Sequence, residues 1–461
     1  MTPLVPLALF GWVGVTVVLF FTTPTPKAIL ISVIGGFLLL PWFSYNLPGI
    51  PSYDKSTAIA LGLLLGGRLS GSASKERLRL TFYDVPMLLW CFVVPLASSL
   101  SNGLGLRDGM SGAFGRFFSW GAFFWAGRKY FGTPSSIRLL ALGVLAGGLL
   151  YLPLVLFEVR MSPQLSNIVY GFFPHSFLQH IRYGGYRPIV FMQHGLMVSL
   201  WMAASAICAL WLWRMGEIRK LCSIPMFWIV VSLFAATILC KSANAWIFLF
   251  LGTIAMIHFK MRGNTRLVRL LALLIPVYIA ARLSGRLLGE SVEAVASLLF
   301  DEDRIGSLGI RLVQENLFGA RALEHPLFGW GGYGRGWPLD PITGGWAVPM
   351  VDALWVIVLS SNGLLGLLSL FLALGLGPWR GLGLYRSQDH AGFQQADSHE
   401  VYGIVLSLIV IFFLLDSLVN AMVNPIYILC AGALVSYYLG EKERRMAITK
   451  PTDDSTHDEK S

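Results

Sequence analysis

The chain has 461 residues, 55% of them hydrophobic and only 13% charged, with a mean hydropathy of +0.65. A soluble domain carries about 25% charged residues, so the composition excludes an ordinary globular protein and points to an all-α polytopic membrane protein. The net charge of +10 is not a nucleic-acid footprint, and no nucleic-acid partner is expected, because excess Lys and Arg in such a chain mostly set orientation in the lipid bilayer.

A span needs about 20 mostly apolar residues to cross the hydrocarbon core. In chain order, runs of suitable length lie near 5–22, 28–47, 84–100, 110–127, 135–158, 188–213, 223–240, 242–259, 267–283, 350–378, 400–418 and 424–440. A shorter glycine-rich run at 56–67 is either a further span or a re-entrant piece, so twelve or thirteen transmembrane helices are expected. The opening "MTPLVPLALFGWVGVTVVLFF" lacks the basic flank and cleavage site of a secretory signal and reads as a retained first span. Cys91, Cys208, Cys222, Cys240 and Cys430 are scattered without C-x-x-C spacing, as small buried hydrophobes rather than a disulfide framework or zinc site.

The linkers "RLSGSASKERLR", "RKYFGTPSSIR", "RMGEIRK", "KMRGNTR" and the tail "EKERRMAITK" are short and basic, which makes them cytoplasmic. Alternation then puts 159–187 and 284–349 together on the opposite, periplasmic face, the latter as a large loop with short helices. Residues 1–440 form a single transmembrane domain, and 441–461 form a polar, disordered cytoplasmic tail. Both outer segments hold arginines against the orientation rule: Arg160, Arg182 and Arg187 in the first, and Arg282, Arg286, Arg304, Arg311, Arg321 and Arg335 at or within the second. Either they hold an anionic ligand, which guanidinium forks bind bidentately, or they pair with Glu290, Glu293, Asp301, Glu302, Asp303, Glu315 and Glu324.

Several stretches carry the candidate chemistry. In "RYGGYRPIVFMQHGLMVSLWM" Pro188 is expected in the first turn of a span, which would hold Arg187 at a helix N-terminus, where the dipole favours an anion. His194 then falls two turns down that helix, facing a cavity or hydrogen-bonded as a structural residue. After Ser307 an amphipathic helix is expected, with Arg311 and Glu315 one turn apart as an i,i+4 pair. "HPLFGWGGYGRG" breaks that helix into a tight loop, and the missing G-K-[ST] ending rules out a P-loop. "DED" at 301–303 reads as a solvated cap, and His175 and His180 have no second metal-like pair, so no metal site and no cofactor are expected. Lys241, in the short outer turn "LCKSANAW", either touches a diphosphate or snorkels. Asp352 opens the apolar "DALWVIVLSSNGLLG", eleven residues before Gly363.

An arginine at the head of a middle span is followed by a long outer loop holding "SLGIRLVQENLFGARALEHPLFGWGGYG" and then by a span closing in "NGLLGLL". Between about residues 180 and 366 this order resembles the bacterial O-antigen ligase and O-antigen/exopolysaccharide polymerase family of integral-membrane GT-C glycosyltransferases. The resemblance implies transfer of a glycan from undecaprenyl diphosphate to an acceptor hydroxyl at the periplasmic face of the bacterial inner membrane, with inversion and without a metal. The acceptor is a lipid A core in ligases and a lipid-linked repeat unit in polymerases. By position the diphosphate-holding arginines correspond to Arg187 and Arg311, with Arg182 and Arg304 as further candidates and Glu315, His194 and Lys241 in support. The ligase motif begins with His and a small polar residue, nine residues before Gly-x-x-Gly. Here it begins Asp352-Ala353, so a carboxylate replaces the histidine and His325 in the adjacent loop is a second candidate base.

Asp352 either takes the acceptor proton or orients an arginine. The missing histidine tilts the expectation to polysaccharide polymerisation or attachment in an exopolysaccharide-type pathway, with polysaccharide-export or chain-length-control proteins as partners. The alternatives are a lipid-linked oligosaccharide transporter or flippase without catalysis, and an idle scaffold. No internal repeat is visible and the charges gather outside one face, which favours the enzyme.

Overall fold

The computed structural model describes residues 1–46, 51–75, 78–182, 184–285, 289–298, 302–332, 334–340, 342, 345–347, 351–385 and 398–449. Arg286 and Asp301 lie outside these, as do the side chains of Glu290, Glu302, Asp303 and Arg304 and the expected tail beyond residue 449.

Apolar sequence in runs of helical length gives helices almost throughout, because a chain in hydrocarbon must satisfy its backbone N–H and C=O groups internally. Among the described residues, six helices are long and apolar enough to cross a membrane: Leu4–Thr22, Phe82–Ser101, Pro134–Met161, Gly195–Arg214, Ala243–Arg262 and Leu354–Leu384. Thr25–Leu39 and Met226–Leu239 are shorter apolar helices. The chain is therefore an all-α polytopic membrane protein. The described strands are three two-residue hairpins, Ser44–Tyr45 with Tyr53–Asp54, Ile181–Arg182 with Gly185–Tyr186, and Lys220–Leu221 with Ile224–Pro225.

Not every expected span has this simple form. The Arg266–Leu283 helix carries Arg266, Arg269 and Arg282. The run at 110–127 becomes Leu106–Arg116 and Ala122–Tyr130, joined through a π-turn at Phe117–Gly121. The glycine-rich run at 56–67 lies within a continuous helix, Lys55–Leu69, packed on Leu4–Thr22. At the C-terminal end the Pro425–Thr449 helix continues well past residue 440, the expected start of the tail. Its charged extension is helical and carries an Arg444–Glu441 pair at 2.6 Å, one turn apart.

Gly195–Arg214 lies at the centre of the bundle, apolar all round and buried over 94% of its apolar window. Pro134–Met161, Met226–Leu239, Ala243–Arg262 and Ser398–Asp416 pack around it. Leu4–Thr22 is only 22% buried over its window and turns Leu7, Phe10, Val18 and Phe21 outward, as a lipid-facing helix does. At one end the basic linkers at 68–79 and 128–138 meet. There Arg128 and Asp84 form a buried pair at 2.7 Å and Lys129 donates to the Ala73 carbonyl at 2.6 Å. The candidate site lies among the segments at the other end of the same helices.

Candidate functional site: the Arg311–Asp352 pair and a histidine cluster at one end of the bundle

The two most distinctive sequence pieces, "HPLFGWGG" and "NGLLG", turn out to be one structural unit. Gly363 interrupts the Leu354–Leu384 helix with φ +64° and ψ −166°, a region open essentially to glycine alone. The break frees backbone groups that the loop then uses. Leu364 N–H donates to the Pro326 carbonyl at 2.7 Å and Leu365 N–H to the Leu327 carbonyl at 3.2 Å. In return, Trp330 N–H donates to the Ser360 carbonyl at 2.9 Å and Gly331 N–H to the Ser361 carbonyl at 3.1 Å. A Cβ on Gly363 would lie 2.3 Å from Leu327 backbone atoms, and one on Gly329 2.3 Å from the Asn362 nitrogen. The glycines are thus required by chain crossing rather than by contact with a ligand.

This unit fixes the N-terminal end of the Leu354–Leu384 helix, just before which Asp352 stands. Leu354 N–H donates to the Ser417 carbonyl at 3.1 Å, and Trp355 Nε1 donates to the Leu418 carbonyl at the same distance. From the Glu302–Ala322 helix, Arg311 Nε reaches Asp352 Oδ2 at 3.2 Å. The pair is open to solvent, with side-chain exposures of 22% for Arg311 and 38% for Asp352.

Glu315, expected as the i,i+4 partner of Arg311, takes a different partner. It is buried against the Arg266–Leu283 helix, where Arg282 Nε meets it at 2.9 Å and Tyr278 Oη donates to it at 2.9 Å. Arg282 Nη2 adds a bond to Asn316 Oδ1 at 2.8 Å. A buried carboxylate demands a charged or hydrogen-bonding partner, and the neighbouring helix supplies both. The clamp holds the outer helix on the bundle and leaves Arg311 to Asp352.

The 187–194 segment also differs from expectation. The helix starts at Gly195 with His194 as its N-cap, so Arg187 is not at a helix N-terminus and His194 is not two turns inside. The segment is held instead by Glu158, fully buried near the end of Pro134–Met161. Its Oε2 accepts from Ile189 N–H at 2.8 Å and Val190 N–H at 2.7 Å, while Oε1 accepts from Leu165 N–H at 2.9 Å. Tyr151 Oη accepts from Phe191 N–H at 3.2 Å. Val190 itself takes φ +52°, in the left-handed region, which a right-handed helix beginning at Pro188 could not contain. Arg187 is nearly fully buried; its stem runs past Gly195, where a Cβ would lie 2.3 Å from Arg187 Cδ. Its Nη2 donates to the Lys241 carbonyl at 2.7 Å, and Lys241 Nζ donates to the Arg182 carbonyl at 2.9 Å. Lys241 therefore ties the 182–187 segment to the turn at 240–242.

His194 does not stand alone. The cap and the preceding loop bring it beside His175 and His180, and a ring nitrogen from each lies within 4.8 Å of the others. Sequence spacing kept these residues apart, since 14 positions separate His180 from His194. Among the described residues they are the group whose donor set could hold a metal ion. Burial pushes His180 down to about 4, with His175 and Arg187 adding to the effect. Burial likewise pushes His194 down to about 2, aided by Arg187 and His180, so both rings are neutral at pH 7. Arg311 acts electrostatically on His194 and also on Asp416, which links the histidines, Arg187 and the Arg311–Asp352 pair into one neighbourhood.

Asp416 was missed by the sequence reading. It is buried, accepting from Asn244 Nδ2 at 3.0 Å and Asn420 Nδ2 at 2.8 Å, and it braces the turn on which Leu354 docks. The signal was present in "LLDSLVNAMVNP", a carboxylate followed by asparagines at the end of an apolar run. The contact described for His325 is with Trp330, ring centroids 3.8 Å apart, and the Arg321 guanidinium lies 3.6 Å from the same Trp330 ring. Arg304 sits on the same helix as Arg311, its side chain outside the described residues. A cavity of about 500 Å³ has Val351, the residue before Asp352, and Phe318 in its wall together with Ser98, Asp108, Arg116 and Trp337; Arg311 and Asp352 are not among its lining residues. No protein-family model matches the chain, and no curated protein sequence matches it.

Proposed function

We propose that the protein is a metal-independent, inverting glycosyltransferase that moves a glycan from undecaprenyl diphosphate to an acceptor hydroxyl at the periplasmic face of the bacterial inner membrane. The observation that carries this reading is the Arg311–Asp352 pair. It is a solvent-accessible carboxylate and guanidinium at 3.2 Å, held where the outer helix meets the end of a span. Such a pair contains both functions that inverting transfer needs, a base for the incoming hydroxyl and a cation for the departing phosphate.

In the proposed step the acceptor oxygen forms a bond to the anomeric carbon as its proton passes to Asp352. The bond from the anomeric carbon to the phosphate oxygen breaks, and undecaprenyl diphosphate leaves with that electron pair. Arg311 and the buried Arg187 hold the negative charge that develops. The cavity beside Val351, with its hydroxyl groups, Trp337 and backbone edges, has the volume and mixed lining of a ligand site and suits the glycan. Polymerisation, or attachment to a non-standard acceptor, is favoured over standard core ligation because a carboxylate stands where the resembling ligases carry histidine.

The test uses full-length protein in lipid nanodiscs with a defined undecaprenyl-diphosphate oligosaccharide, scored for longer or transferred glycan. The expected result is product from the native chain and its loss in Asp352→Asn with the fold retained. Product formation by Asp352→Asn at the native rate would overturn the assignment. Movement of the lipid-linked donor across the membrane without any new glycosidic bond would replace it with transport.

A further inference from the structure

The three histidines have no assigned part in this step, yet their arrangement is specific. His180 is fully buried, and neither ring nitrogen has a hydrogen-bond partner in the described structure. A buried polar group left this way has an unmet demand. His175 meets it edge-on and His194 at a tilt of 47°, with ring centroids 6.1 and 5.4 Å from His180 and 4.9 Å from each other.

The proton positions on two of the rings follow from their backbone contacts. His194 Nδ1 accepts from Leu196 N–H at 3.1 Å, and His175 Nδ1 accepts from Ser176 N–H at 2.9 Å. A neutral imidazole that accepts at Nδ1 carries its hydrogen at Nε2. Both rings therefore present Nε2–H donors. A metal ion at Nε2 would need the lone pair that the hydrogen occupies, and coordination there would break the helix cap at His194. The local field points the same way. Beside the other histidines, the charged side chains acting on His180 and His194 are Arg187, Arg182 and Arg311. Arginine charge opposes a second cation and attracts an anion. Nitrogens within 4.8 Å of one another are close enough for one tetrahedral oxyanion to accept from all three at ordinary hydrogen-bond lengths of about 2.8 Å.

From this geometry we infer that His175, His180 and His194 form a phosphoryl-oxyanion subsite in which neutral imidazole N–H donors, backed by Arg187, hold a phosphate group. The inference deepens the transferase reading, on which the identification of the phosphate with the donor lipid rests, but binding itself requires no transfer. The same chemistry could be offered by a lipid diphosphate or by free pyrophosphate, and the two sources are separable by experiment.

Full-length protein in nanodiscs is titrated calorimetrically with inorganic pyrophosphate and, separately, with a polyprenyl diphosphate. His175→Ala alters a half-exposed residue. His194→Asn keeps a good helix N-cap, and His180→Asn keeps a donor of smaller size. Each variant is expected to weaken pyrophosphate binding at least tenfold, with melting temperature near that of the native chain for His175→Ala and His194→Asn. In the native chain, 15N spectra of the imidazoles should show the Nε2–H signals of His175 and His194 shifting on addition of pyrophosphate. A lipid-borne ligand is indicated if the polyprenyl diphosphate binds at least tenfold tighter than pyrophosphate, and a free one if the two are equal.

Native affinity in all three histidine variants would overturn the inference. So would a zinc ion retained one per chain in the native protein and lost in the variants. If Arg187→Ala loses pyrophosphate while the histidine variants keep it, the subsite falls and the transferase reading stands. If the histidine variants lose pyrophosphate while Asp352→Asn still forms product, the subsite stands and the catalytic assignment falls.

Discussion

Replacing Gly363 by alanine tests whether the break in the Leu354–Leu384 helix is structural, as its geometry demands. At φ +64° and ψ −166° a side chain is strained, at a cost of about 1–3 kcal/mol. The new Cβ would also lie 2.3 Å from the Leu327 carbonyl carbon and oxygen, which are backbone atoms and cannot rotate away. Relief requires the 326–331 loop to withdraw, which puts at risk the four backbone hydrogen bonds that cross between loop and helix. At about 1 kcal/mol each, and added to the strain, these bring the expected loss to roughly 5–7 kcal/mol. That is a large share of the 5–15 kcal/mol typical of a folded protein. Thermal unfolding in detergent, with limited proteolysis of the loop, reads the effect. Gly319→Ala is the matched control: it lies on the Glu302–Ala322 helix, a Cβ there meets nothing within 4 Å, and a gain of up to about 1 kcal/mol is expected. A Gly363→Ala protein as stable as the control, with the loop still protected, would refute the reasoning.

Further outcomes follow from the same structure. Glu315→Ala strands Arg282 in a buried site and should cost about 3–5 kcal/mol, measurable as a lowered melting temperature; Glu315→Gln should cost less, because Tyr278 and Arg282 keep an acceptor. Asp352→Asn should change stability by no more than about 1 kcal/mol, the pair being exposed to solvent. It should nonetheless reduce product formation by roughly 10²–10⁴-fold, the usual contribution of a general base. Glu158→Gln replaces one acceptor of the 189–190 N–H groups by a donor. It should destabilise the fold by about 1–3 kcal/mol and expose the 187–194 segment in hydrogen exchange. Asp84→Ala should lower stability by about 3–5 kcal/mol, since Arg128 is then left buried without its carboxylate.

Hydropathy alone was enough to identify a polytopic helical membrane protein, because an apolar run's preference for lipid belongs to the run itself. Charge placement was equally legible in outline: it singled out Arg187, Arg311 and Asp352, and the last two meet in the structure. Partner choice was not local and could not be read. Glu315 lies one turn from Arg311 in sequence, yet it faces Arg282, 33 positions earlier, because burial against the neighbouring helix rewards the partner that also brings Tyr278. Pro188 has the sequence mark of a helix start, but Val190 takes φ +52° with its N–H held by Glu158, some 30 residues away, and the helix begins only at Gly195. The same delay swings His194 out to meet His175 and His180. Asp352 and its glycines were conspicuous in the sequence as a spacing. Only the tertiary structure decided that Gly363 opens a helix to admit the "HPLFGWGG" loop, since the atoms that exclude any other residue there belong to a distant part of the chain.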